Sequence, residues 1–182
     1  KSSNLAIKNS KGKYFLRLDA DDYLHKDAIK KMYSIAKKNP RIALVFPDFF
    51  QLKDKKNLIR RYKYNHKKYY NIYDPPAHGA CSLINKKIFM KIGKYNEKFD
   101  RQDGFYIWYM LLLNKFKIKH CKLPLFYYRD HKKNLTKNMK KILKTRIKII
   151  NFFFSKKFKN NNSFLEKIRE NTLKTLKLSK YE

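Results

Sequence analysis

The sequence predicts an α/β domain in which strands present the chemistry and helices cover them. Three observations lead there. Tyr14-Phe15-Leu16-Arg17-Leu18 is a mostly apolar run of strand length that opens directly onto Asp19, Asp21 and Asp22. Residues 25–38 set Ala28, Ile29, Met32, Ile35 and Ala36 on one stripe at helical spacing. Ile42-Ala43-Leu44-Val45-Phe46 is a continuous apolar run between Pro40 and Pro47, the pattern of a central strand buried on both faces.

Taken in order, Ser2 or Ser3 caps a short helix through Leu5 and Ile7 that Gly12 ends. The strand Tyr14–Leu18 follows, then the helix over 25–38, stopped by Asn39-Pro40. After the central strand, Asp48–Leu52 and Leu58–Tyr64 pair antiparallel across the turn Lys53–Asn57. Residues 65–76, rich in Tyr, Asn and Lys and ending in Pro75-Pro76, read as a loop that covers the core edge or stacks on a sugar or base. Lys86–Ile92 forms a short helix ended by Gly93. Asp103 to Asn114 forms a longer one with Phe105, Trp108, Leu111 and Leu112 on a shared face. Phe116–His120 and Leu125–Tyr128 read as two strands. Thr136 caps a helix whose apolar positions run from Met139 to Phe154. Ser163-x-x-Glu166 has the pattern of a capping box for a last helix. Residues 1–136 are thus expected to form the main domain, and 137–182 a pair of basic amphipathic helices.

The three acids after Leu18 repel one another unless something offsets their charge. Asp19 and Asp21 can turn their oxygens to one point, and a hard cation such as Mg²⁺ takes one or two carboxylates together with phosphate oxygens. A plain solvated turn, with Asp22 capping the next helix, is the alternative. An EF-hand is disfavoured because its loop needs Gly where Leu24 stands.

Composition narrows the class. The chain has 182 residues, 43% hydrophobic and 16% aromatic, enough for one substantial core. Its formal charge is +32, and of 46 basic residues only 8 are Arg. Such a field favours polyanions, although Arg, the better phosphate ligand, is scarce, and a general compositional bias toward Lys and Asn produces the same surplus. Cys81 and Cys121 form no C-x-x-C and read as buried or free thiols, neither a disulfide framework nor a zinc site. No run approaches the roughly eighteen apolar residues of a membrane span.

Ser2-Ser3-Asn4 through Gly12-Lys13-Tyr14-Phe15 into Leu18-Asp19-Ala20-Asp21-Asp22 resembles the segment that precedes the D-x-D of family-2 glycosyltransferases. The resemblance continues at Gly79-Ala80-Cys81-Ser82-Leu83-Ile84, at Ile92-Gly93-Lys94-Tyr95-Asn96-Glu97-Lys98-Phe99, at Gln102-Asp103-Gly104-Phe105-Tyr106-Ile107-Trp108 and at Tyr127-Tyr128-Arg129-Asp130-His131. No one motif is specific; five in the family's order are. The resemblance implies a GT-A-type fold and inverting transfer of a sugar from a nucleotide-diphosphate donor to a hydroxyl acceptor, assisted by Mg²⁺ or Mn²⁺. It also implies that the family's N-terminal strands and helices, which hold base and ribose, have no counterpart here. The chain is therefore expected to be an N-terminally incomplete domain, inactive alone.

In the roles the resemblance implies, Asp19 and Asp21 hold the metal and the donor diphosphate, His131 lies at the metal, and Arg129 adds charge to the donor side. Asp103 is the general base at a helix start; Gln102 stands where the family usually has Glu. A plain N-cap role for Asp103 remains open. Gly79, Ala80 and Trp108 belong to the acceptor side, although Trp108 reads equally as core. Expected partners are a nucleotide sugar, a glycan or lipid-linked acceptor and an anionic membrane surface, in a cytoplasmic or peripheral setting. The rival readings are a basic polyanion-binding module and an inactive remnant of a glycosyltransferase. Nucleic acid is not an expected partner, since no nucleic-acid motif is visible.

Overall fold

The computed structural model describes residues 2–53, 58–62, 80–132, 134–155, 158 and 162–178. Helix α1 (Ser2–Asn9) leads to β1 (Tyr14–Leu16), β2 (Tyr23–Leu24), α2 (Ala28–Ala36), β3 (Ile42–Lys53) and β4 (Leu58–Tyr62). Then come β5 (Leu83–Asn85), α3 (Lys86–Lys91), α4 (Asp103–Leu113), β6 (Lys117–Asp130), a 3-10 turn (Leu135–Lys137), α5 (Met139–Phe154) and α6 (Asn162–Leu178). The six strands make one mixed sheet in the order β1-β5-β3-β6-β2, with β4 on β3. Among the described strands only β3 and β6 pair parallel.

The central strand lies where its apolar run demands. Asn39 ends the α2 turn by accepting the Arg41 and Ile42 backbone N–H groups through its side chain (2.8 Å) and carbonyl (2.9 Å). From Ile42 to Asp48 β3 is buried on both faces. On one side Ile42 and Val45 meet Ala28, Met32 and Ala36 of α2, with Cys81, Cys121, Leu125 and Phe126. On the other Ala43, Leu44 and Phe46 meet α3 to α6 through Phe89, Tyr109, Leu111, Ile149, Phe153 and Leu165. Each such fully buried side chain contributes about 1.5–3 kcal/mol of hydrophobic free energy. Ile142, Leu143, Ile149, Ile150 and Phe153 of α5 and Leu165 and Ile168 of α6 are buried, while Lys140, Lys141, Lys144 and Lys148 are exposed. Both cysteines are buried and free. Among the described residues no helix is long and apolar enough to cross a membrane.

Several boundaries differ from those expected. β1 ends at Leu16 and is a half-buried edge strand, antiparallel to β5, because Arg17 and Leu18 turn away toward the acids. Pro47 does not end β3. The register against β6 shifts on either side of Asp48, and such an irregularity accommodates a residue without an N–H. The expected hairpin forms between Phe49–Lys53 and Leu58–Tyr62. Phe116–His120 and Leu125–Tyr128 belong to one 14-residue strand, because β3 offers a continuous partner along its length. Ile29 is 50% exposed, so the α2 stripe narrows to Ala28, Met32 and Ile35-Ala36. Helix α4 is buried nearly all round rather than on one face. Asn138, not Thr136, caps α5, its side chain accepting the Lys141 N–H at 2.9 Å. Helix α6 starts one residue before Ser163, which therefore lies in its first turn. The loop expected over 65–76 lies outside the described residues.

Candidate active site

The acids occupy a tight turn between β1 and β2, closed by Asp22 N–H donating to the Asp19 carbonyl at 3.1 Å. The Arg17 carbonyl accepts from Cys81 N–H at 2.8 Å, which ties the turn to the chain entering β5. Asp22 caps no helix. It is 8% exposed, and its Oδ1 accepts the Arg129 backbone N–H of β6 at 2.9 Å while its Oδ2 is buried without a hydrogen-bond partner among the described residues. Burial pushes its carboxyl up to about 6. The helix-cap position of α2 falls to Asp27, whose side chain makes no cap bond.

Arg17 joins the two ends of the site. Its Nε and Nη2 reach Asp19 Oδ1 at 3.2 and 3.1 Å, and its Nη1 donates to Asp103 Oδ2. Burial alone would lower the Arg17 pKa, but the charges of Asp103 and Asp19 outweigh it and hold the guanidinium above its ordinary value. Asp103 is the first residue of α4, and its Oδ1 accepts the Gly104 N–H at 3.0 Å. The preceding cap position is Gln102 in a left-handed conformation (φ 61°) with no side-chain cap bond. Its amide oxygen instead accepts Nε–H of Arg146 from α5 at 2.9 Å, and the Arg146 guanidinium lies 4.8 Å from the Phe105 ring centroid. Where the resembled motif has Glu, this chain thus has a neutral group that locks α5 to the start of α4.

Arg17, Asp19, Asp103, Ala80, Ser82, Tyr95 and Trp108 border one cleft of about 240 Å³. Burial, then the Asp103 charge, pushes the Tyr95 phenol up to about 12. The Tyr95 backbone is held from both sides by Asn4, whose Nδ2 donates to its carbonyl (2.9 Å) and whose Oδ1 accepts its N–H (3.2 Å). Trp108 meets the Phe46 ring edge-on at 5.5 Å, so the core reading and the cleft reading hold together.

A second group lies beyond the turn. His131 Nε2 and Asp21 Oδ2 are 2.9 Å apart, and Arg129 Nε donates to the Asp21 carbonyl at 3.2 Å. The hydrogen bond from His131 holds the Asp21 carboxyl below its ordinary value. Of the residues singled out in the sequence, Asp19, Asp103, Ala80 and Trp108 share the cleft, while Asp21, Arg129 and His131 share the β6 end. Gly79 lies outside the described residues. Among those described, no group of three or more His, Cys, Asp or Glu side chains gathers as a metal cage. What is present suits a cation bound by few protein ligands: a partly exposed carboxylate and imidazole in mutual reach, with Asp19 two residues away but engaged by Arg17. Sequence reading missed Arg17, Asn4 and Arg146. Only Arg17 carried a local signal, standing two residues from Asp19 in an otherwise apolar strand.

The profile of glycosyl transferase family 2 matches residues 1–93. An uncharacterized glycosyltransferase of Methanocaldococcus jannaschii is 26% identical over 133 residues, which cover 70% of this chain and 46% of that protein. Among solved structures, TarS residues 1–349 from S. aureus superposes with a TM-score of 0.63 at 12% identity, over 93% of this chain and 48% of that one. The same protein in complex with UDP gives 0.52 at 14% identity, over 88% of this chain and 53% of that one. These superpositions establish a shared GT-A-type fold. The chain spans about half the length of the proteins it matches.

Proposed function

Because the chain belongs to glycosyl transferase family 2, we propose that it carries the diphosphate-side and acceptor-side groups of an inverting sugar transfer from a nucleotide-diphosphate donor to a hydroxyl. The observation that carries this reading is the pairing of Asp19 and Asp103 through one guanidinium across one cleft, which puts a strand-end acid and a helix-start acid on the same volume. The UDP complex of a protein with the same fold supports a nucleotide-bearing donor.

In this reading the acceptor hydroxyl enters beside Ala80 and Trp108. Its oxygen attacks the anomeric carbon from the side opposite the diphosphate, and its proton passes to a carboxylate oxygen of Asp103. The bond from the anomeric carbon to the diphosphate oxygen breaks, and its electron pair leaves with the diphosphate. Asp19, Asp21 and His131 are the residues that would hold Mg²⁺ or Mn²⁺, which when bound offsets the charge growing on the departing diphosphate. Arg129, beside Asp21, adds positive charge at the same end. The exposed lysines of α5 suit an acceptor presented at an anionic membrane surface. Such a contact would rest on charge, because the described apolar side chains of both last helices other than Met139 are buried or partly buried.

The test is a calorimetric titration with UDP-sugars, with and without Mn²⁺, beside a turnover assay. Asp21→Asn is expected to abolish the metal dependence of donor binding. Asp103→Asn is expected to keep donor binding and lower turnover by roughly 10²–10⁴-fold. Equal metal dependence in Asp21→Asn and wild type, or unchanged turnover with a lowered melting temperature in Asp103→Asn, would refute the assigned roles.

A further inference from the structure

Arg17 spends its whole fork on the two acids that the proposed transfer uses separately. Two of its nitrogens serve Asp19 Oδ1 and the third serves Asp103 Oδ2. Asp103 Oδ1 already accepts the Gly104 N–H, so both oxygens of this carboxylate carry a donor and each keeps one further lone pair for an incoming proton. Asp19, likewise, faces a guanidinium where a cation would sit. All three side chains are about one-third or more exposed (35, 44 and 36%), so the pairs exchange readily with solvent ions instead of being locked in a dry core. A planar fork holds two carboxylates in a fixed geometry; an ammonium is a compact point charge on a flexible stem.

We propose that Arg17 is a positioning residue that couples the two acids: a divalent cation taking Asp19 must win it from a guanidinium that Asp103 also holds. Asp103 draws Arg17 away from Asp19 and so favours the cation. A cation at Asp19 in turn leaves the guanidinium to Asp103, until the arriving phosphate oxygens of the donor draw it off and free Asp103 Oδ2. Asp103 Oδ2 therefore carries the guanidinium while the diphosphate side is vacant and loses it when the donor arrives. This rests on the transferase reading above.

The experiment measures the affinity for Mn²⁺ alone, by electron paramagnetic resonance, in wild type, Arg17→Gln, Asp103→Asn and the double variant. Removing a partly exposed competitor should tighten Mn²⁺ binding in Arg17→Gln by about two- to fivefold. Asp103→Asn should weaken it by a similar factor in the wild-type background and have no such effect once Arg17 is Gln, a non-additivity the cycle reads directly. If Arg17→Gln does not fold, the same cycle run on Arg17→Lys carries the test, because its single ammonium reaches one carboxylate and the coupling should shrink. Additive effects in folded variants would overturn the proposal while leaving the transferase reading in place. Absence of Mn²⁺ binding by the wild type would overturn the metal site and this coupling together.

Discussion

Replacing Asp22 with Asn should make the protein's stability less sensitive to rising pH. In the fold, burial moves the Asp22 carboxyl from its ordinary 3.8 to about 6, and Oδ2 finds no partner among the described residues while Oδ1 accepts from the Arg129 N–H. A carboxyl raised on folding is favoured in its neutral form. Below about pH 3.8 it is neutral in both states and costs nothing; the penalty grows as pH rises to about 6 and is complete above that. At about 1.4 kcal/mol for each pH unit the ceiling is roughly 3 kcal/mol. Hydration of the neighbouring acidic turn reduces the expected value to about 1–2 kcal/mol. Asn keeps the acceptor for the Arg129 N–H and cannot ionise. Its buried NH₂ adds a constant cost of about 1–3 kcal/mol for an unmet donor, which does not vary with pH. Urea denaturation of wild type and Asp22→Asn at pH 4.5 and pH 8 isolates the variable part. The variant should gain on the wild type by about 1 kcal/mol between the two conditions, because roughly a third of the penalty is already present at pH 4.5. A stability difference that is the same at both would mean that Asp22 is ionised and satisfied in the fold, contrary to the reasoning.

Two further outcomes follow from contacts in the site. His131→Ala removes the hydrogen bond that holds the Asp21 carboxyl low, so the acid limb of Mn²⁺ binding should move to higher pH without loss of fold; an unmoved limb would separate His131 from Asp21. Asn4→Ala strips both backbone bonds from Tyr95 and should cost about 1–2 kcal/mol in thermal or urea unfolding. An unchanged midpoint would show that water replaces Asn4 without loss.

What the sequence disclosed follows the range of the interactions concerned. The acidic turn after an apolar strand, the central strand at Ile42–Phe46, the β3–β4 hairpin and the α2 stripe are all written in neighbouring residues, and all appear. Asp103 at a helix start was likewise local. Local signals misled where a distant partner decided. Pro47 reads as a strand end, yet β6 pairs on both sides of it through a shifted register. Leu123-Pro124 looks like a break, yet β3 carries the strand across. Thr136 looked like a cap because nothing in the sequence distinguishes it from Asn138 two residues on. Arg17, Gln102 and Asn4 owe their roles to partners 86, 44 and 91 residues away, and no periodicity records such pairs.

The parallel partnership of β3 and β6 also sets an order of events during synthesis. Ile42 pairs with Lys117 and Lys53 with Asp130, so β3 leaves the ribosome long before its neighbour exists. Until then one flank of its backbone can be satisfied by β4 and β5, while the other offers a row of bare N–H and C=O groups. A nascent chain at that stage holds every acid of the β1–β2 turn but neither Arg129 to seat Asp22 nor His131 to meet Asp21. The arrival of β6 thus closes the sheet and completes the acidic turn in one act. Non-local pairing of this kind is slow, and an interrupted chain is exposed to aggregation. The acidic turn is therefore complete only once β6 has been made, and a chain stalled before it would be prone to aggregate.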